Sequence, residues 1–273
     1  ILECCVDSVL SAIAAEKGGA DRLEVCADLL VGGTTPSLSL YHQIRQRTSL
    51  PVHVLIRPRF GDFFYDSYEM DQMDEDIRRF VQEGAEGVVM GVLQPDGTLD
   101  EEKMSRLIAA AREGSSLSAA AQRKVHLTLH RAFDVCRDPF ETMEQAIRLG
   151  IDTILTSGQQ QTAADGKQLL HQLWQQAEGC IRLMAGGGID AEAIREIRKT
   201  VPLTCFHMSG KMVLESGMQY RKEGVSMGFP GFSEYEIFRT DAEKVRAAAW
   251  ALQKYSASKK ASPGECLISY DGM

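Results

Sequence analysis

Twice in its first 26 residues the chain sets a glutamate two places before a cysteine at the end of a short apolar run, as Glu3-Cys4-Cys5 and as Glu24-Val25-Cys26. On neighbouring β-strands, whose side chains alternate between faces, Glu3 and Cys5 share one face, and Glu24 and Cys26 share the matching face. Two carboxylates and two thiols then meet in one pocket. The thiols suit a soft metal such as Cu(I), and the carboxylates suit proton transfer.

Other runs end in polar residues of the same kind. Residues 52–57 close on Arg57, followed by Pro58 and Arg59, two guanidinium groups suited to a carboxylate or phosphate. In 125–130, His126, Thr128 and His130 share a face, and His130 is nearest the end, where it can be an acid, a base, a donor or a ligand. His126 is read as a core histidine. Asp134 either orients His130 or caps the helix starting near Pro139. Three later loops, Thr156-Ser157-Gly158, Gly186-Gly187-Gly188 and His207-Met208-Ser209-Gly210, offer backbone amides and hydroxyls to an anion. A structural alternative stays open: Glu3, Glu24 and Arg57 can pair with one another as a buried ion cluster. The sequence holds no Walker A motif, Gly-x-Gly-x-x-Gly, His-Glu-x-x-His or Cys-x-x-Cys.

These residues need a frame that brings strand ends together. Eight β-branched or aliphatic runs (1–6, 22–26, 52–57, 87–91, 125–130, 152–156, 181–185 and 204–208) alternate with segments of helical periodicity. Alternating units predict a parallel sheet, and eight of them predict an α/β fold, a single-domain (β/α)8 TIM barrel over residues 1–255, rather than an open doubly wound sheet. Such barrels carry their chemistry at the carboxyl ends of the strands, where the residues above fall. Asp7 and Asp190 are predicted to cap the helices that follow them. Residues 114–124 read as a solvated loop or helix extension, and the stretch from the eighth strand to residue 232 as irregular. Residues 241–254 read as a last amphipathic helix that offers an oligomer contact, and 256–273 as a disordered tail.

The 273 residues are 44% hydrophobic and 25% charged, a composition that can bury a full core. The net charge of −8 argues against nucleic acid as a partner, because such affinity comes from cations neutralising phosphates. No run reaches the roughly 18 apolar residues of a membrane span, so a cytoplasmic protein is expected. Seven irregularly spaced cysteines argue against a disulfide framework and for reduced thiols.

Several strings, in this order, carry a resemblance: Leu2-Glu3-Cys4-Cys5-Val6-Asp7-Ser8, Gly18 to Glu24, Gly32 to Ser37, Ile56-Arg57-Pro58-Arg59, His130 to Asp134, Leu155 to Gly158 and Met184 to Ile189. Together they resemble the CutC family of copper homeostasis proteins, from residue 1 to about 254. The resemblance implies a cytoplasmic TIM barrel, a homo-oligomer, and Cu(I) held by cysteines that match Cys5 and Cys26. It implies no particular reaction. The chain departs from the family pattern in the extra Cys4, expected to face outward as packing, in the insertion at 114–124 and in the extended tail. Two functions stay in view, with a scaffold role ranked behind them. One is Cu(I) binding by Cys5 and Cys26. The other is an enzyme acting on a small phosphorylated or carboxylated metabolite. In it Glu3 or Glu24 would be the acid or base, His130 a partner and Arg57 a clamp, with an anion held among Arg59, Ser157, Gly158, Gly186 to Gly188, His207, Ser209 and Gly210.

Overall fold

In the computed structural model, which describes residues 1–117, 124–225, 227–228 and 231–256, eight parallel strands close into a barrel. They are β1 (Leu2–Val6), β2 (Arg22–Val25), β3 (Val52–Leu55), β4 (Gly87–Met90), β5 (His126–Leu129), β6 (Thr153–Thr156), β7 (Arg182–Gly186) and β8 (Phe206–Met208). The helices between them are α1 (Val9–Gly18), α2 (Leu38–Arg45), α3 (Ser67–Gln82), α4 (Glu101–Leu117), α5 (Pro139–Arg148), α6 (Lys167–Ala177) and α7 (Ala191–Thr200). Every strand falls on a run read from the sequence. The main core lies between barrel and helices and takes the outward residues, such as Leu2, Cys4, Leu23, Val54 and Ile154. Cys4 is therefore packing.

Helix starts follow side-chain capping chemistry. Asp190 accepts from the amides of Glu192 and Ala193, as predicted. At α1 the cap is Ser8, accepting from Ser11, and not Asp7. Ser8 directly precedes the first helical residue, and that position alone aims a short side chain at the free amides.

Three regions bear on the sequence reading, and the first departs from it. The stretch after β8 contains β9 (Lys211–Glu215), paired antiparallel with β10 (Glu236–Thr240) outside the barrel. The segment joining them is too long to show a turn signature, which hid the hairpin. The last helix, α8 (Ala242–Ser256), buries Val245, Ala248, Ala249 and Leu252 and packs on α1 and α7. This face of the helix is used within the chain, while Trp250 stays exposed on another. Of the insertion, residues 114–117 extend α4, whereas 118–123 and the tail from 257 lie outside the described residues.

Among the described residues, no helix is long and apolar enough to cross a membrane. Cys4, Cys5, Cys26, Cys136 and Cys205 are free thiols.

Candidate functional site

Inward positions in such barrels are ordinarily filled by Val, Ile and Leu. Here the apolar part of the interior shrinks to two small groups, Cys5, Cys26, Leu55 and Val89 on one side and Leu155, Met184 and Cys205 on the other. Between and below them stand Glu3, Arg22, Glu24, His53, Thr128 and Thr153, all buried. Register explains their meeting. Glu3 of β1 is level with Arg22 of β2 and His207 of β8, and Cys5 is level with Glu24.

Glu3 is the hub. Its carboxylate accepts from Arg22 Nε at 2.5 Å and lies 2.7 Å from His207 Nδ1 and 3.7 Å from His53 Nδ1. Burial alone would raise its pKa, but the hydrogen bond from His207 and the Arg22 charge outweigh it and hold the carboxyl well below the usual range. Arg22 is thus the partner that a buried glutamate needs, and the expected pairing of Glu3 and Glu24 with Arg57 does not occur. The guanidinium of Arg57 instead donates to the carbonyls of Gly33 and Gly61, both at 2.9 Å, and lies over the Phe63 ring.

Glu24 is different. It has no guanidinium donor, and burial, with Glu3 nearby adding to it, raises its pKa to about 7 against the pull of His207 and Arg22. His207 lies between the two carboxylates, with Nε2 3.8 Å from Glu24. Burial opposes its charge, but Cys5, Glu24 and Glu3 around it push its pKa well above the ordinary histidine value. Because Nδ1 is committed to Glu3, a His207 that sheds one proton turns an Nε2 lone pair toward Glu24 and Cys5. A carboxylate behind an imidazole is the arrangement that orients a metal-ligating histidine. The donor atoms of Cys5, Glu24 and His207 all lie within 4.8 Å of one another.

Cys26, read from the sequence as the second thiol, sits past Glu24 along β2. Its amide donates to the carbonyl of Val6, and its thiol points to the same carbonyl at 3.5 Å, whereas the Cys5 thiol points across to Met208 O on β8. Burial pushes the Cys26 thiol far above its ordinary pKa. Parity put both cysteines on the inward face, where they pack in one small cluster; register sets Cys5 level with Glu24 and leaves Cys26 one inward position further along.

Above this floor the mouth opens into a cavity of about 280 Å³, lined by Cys5, Glu24 and His207 together with Arg57, Phe63, His130, Arg131, Gly187, Gly188 and Ser209. Arg59 is not among these residues. It is taken up by Glu69, Asp62 and the carbonyls of Phe60, Asp62 and Phe64, so its charge braces the loop after β3. Ser157, Gly158, Gly186 and Gly210 also stay off the lining. Ser157 and its neighbours wrap Asp134, which accepts from Thr156, Ser157, Gln159 and Arg131. Asp134 therefore neither orients His130 nor caps α5, a task done by Asp138. Gly210 lies against Val245 and Thr240.

His130 is buried and neutral, its pKa lowered to about 3 by burial and by the Arg57 charge. Nδ1 accepts from the amide of Ala132, so the proton sits on Nε2, which makes this histidine a donor, one of the roles left open by the sequence. Arg22 and His53 were not singled out from the sequence at all, although strand parity carried the signal: Arg22 has the parity of Glu24, and His53 that of Arg57. Gly87, level with His53, is the matching clue, because a Cβ there would lie 2.7 Å from the imidazole.

Fold and site define a (β/α)8 barrel protein with a charged interior and a mouth able to hold a metal ion or to exchange a proton. The CutC family model matches residues 1–212. A copper homeostasis protein cutC homolog of Mus musculus is 42% identical over 247 residues, covering 90% of this chain and 87% of the relative. A family protein CutC of Bacteroides fragilis is 44% identical over 248 residues, covering 90% and 94%. The crystal structure of a putative copper homeostasis protein CutC from Streptococcus agalactiae superposes with a TM-score of 0.69 at 29% identity, over 77% of this chain and 98% of that one. The chain belongs to the CutC family of copper homeostasis proteins.

Proposed function

We propose that this CutC protein carries a copper ion as its cargo at the floor of the barrel mouth, held by the Cys5 thiolate and His207 Nε2, with Glu24 closing the third side. The observation that carries this reading is the convergence of those three donors within 4.8 Å, with Glu3 behind the imidazole. The donor chemistry fits: thiolate and imidazole both suit copper, and a carboxylate that can be neutral or charged tolerates either oxidation state. The reading takes the chain as a cytoplasmic homo-oligomer, as membership of the family suggests. The test is a Cu(I) titration of reduced protein against a competing chelator. Cys5→Ser and His207→Gln should each weaken binding by at least about tenfold, a loss of about 1.4 kcal/mol, while Cys26→Ser stays within about twofold. Equal losses for Cys5→Ser and Cys26→Ser, with none for His207→Gln, would overturn this site in favour of the thiol pair.

A second reading is favoured by one observation. Glu24, with its pKa near 7, shares the cavity with Arg57 and His130, an arrangement suited to proton transfer at a small anionic metabolite. Its test is turnover: a substrate found by screening should lose conversion in Glu24→Gln while still binding.

A further inference from the structure

Two buried donors at the cavity have no hydrogen-bonded acceptor. His130 is 4% exposed and Arg57 8%, and both line the cavity. His130 Nε2, which carries the imidazole proton, and Arg57 Nε each lack a hydrogen-bond partner among the described residues. Both groups are held rigidly. His130 is fixed by the amide of Ala132 and by the Phe63 ring, whose centroid lies 4.8 Å from its own, and Arg57 by two backbone carbonyls. Native structures satisfy nearly every buried polar group, so the unpaired His130 donor marks a place for an acceptor, with the Arg57 guanidinium lining the same cavity beside the Tyr65 hydroxyl.

Around them the wall stays electropositive. Arg131, held by Asp134 and Ser157, brings its guanidinium to Gly187. Beside it Gly187, Gly188 and Ile189 line the same cavity. Gly187 and Gly188 both have positive φ, 100° and 69°, which turns this loop sharply above β7. Gly91, behind His130, leaves the room the ring needs, since a Cβ there would lie 2.8 Å from it.

We propose that this wall, formed by Arg57, His130, Arg131 and the Gly187–Ile189 loop, binds the carboxylate or phosphate group of a small organic anion. The site needs no copper. It rests on the second reading only in treating the cavity as a ligand site, and Glu24 need not transfer a proton for it to hold. A volume of about 280 Å³ sits at the lower end for ligand pockets and limits the molecule to a small metabolite.

The experiment is calorimetric titration of the metal-free protein with inorganic phosphate and, separately, with pyruvate, alongside NMR of protein carrying 15N-labelled histidine. Saturable binding of either probe with a shift of the His130 Nε2 resonance is expected; the stronger probe tells phosphate from carboxylate. His130→Asn, whose amide oxygen can keep the bond from Ala132 while the Nε2 donor is lost, should bind about tenfold more weakly. Loss of conversion in Glu24→Gln bears only on the acid–base reading, whereas loss of anion binding in His130→Asn bears only on the anion site. The proposal is overturned if neither probe saturates at millimolar concentration. It is equally overturned if binding leaves the His130 resonance unmoved, or if His130→Asn binds undiminished.

Discussion

Arg22→Met tests the charged interior most sharply, because it removes the cation nearest a carboxylate with no exposure to solvent. Two unit charges about 4 Å apart attract by about 4 kcal/mol at an effective dielectric constant near 20, and breaking a buried pair from one side costs about 3 to 5 kcal/mol. His207 remains on the other oxygen of Glu3 and keeps the loss within that range. The melting temperature should fall by roughly 6 to 15 °C. The pH dependence has a definite sign. Glu3 has a folded pKa below its ordinary 4.5, so its partners' stabilisation is complete above about pH 4.5 and is lost as pH falls through the folded value. The gap between wild type and Arg22→Met is therefore full at pH 7 and closes in acid. Urea unfolding followed by circular dichroism at pH 7 and pH 4 measures it. Adding Glu3→Gln to Arg22→Met should recover part of the loss at pH 7, since no unpaired charge then remains. A cost below about 1 kcal/mol at pH 7, or a gap already closed at pH 4, well above the folded value, would refute the assignment of Glu3 as a charged hub.

Further outcomes follow from the same geometry. Glu24 has a folded pKa raised from 4.5 to about 7, so the fold disfavours its charge. Stability should decline by roughly 3 kcal/mol between pH 4.5 and 7, and Glu24→Gln, measured by unfolding across that window, should flatten the decline. Copper affinity should rise with pH through neutrality, because His207 must release a proton to offer Nε2 and its pKa is raised. Glu3→Gln, which removes one of the groups raising it, should make that rise shallower in chelator titrations. Gly87→Ala would set a methyl group 2.7 Å from the His53 ring, and thermal unfolding should show about 1 to 3 kcal/mol of overpacking cost.

The barrel was legible because each buried strand is a short apolar run between helical patterns, and strand parity correctly turned Glu3, Cys5, Glu24 and Arg57 inward. What parity does not carry is register. Whether Cys5 sits beside Glu24 or Cys26 depends on how far β2 slides along β1, which long-range pairing decides. Depth was the second blind spot. Arg22 and His53 lie below the strand ends where chemistry is sought, and yet both help to hold Glu3 charged. Loop charges were the third: Arg59 and Asp134 sit at the right address by sequence, but each is consumed by bonds within its own loop.

The central claim, that copper meets one thiolate and one imidazole at the barrel floor, is tested most directly by X-ray absorption at the copper edge on reduced protein loaded with one equivalent of Cu(I). The account predicts a single sulfur scatterer together with nitrogen or oxygen scatterers bearing an imidazole signature, unchanged in Cys26→Ser and stripped of sulfur in Cys5→Ser. Two sulfur scatterers in the wild type, one of them lost in Cys26→Ser, would contradict it.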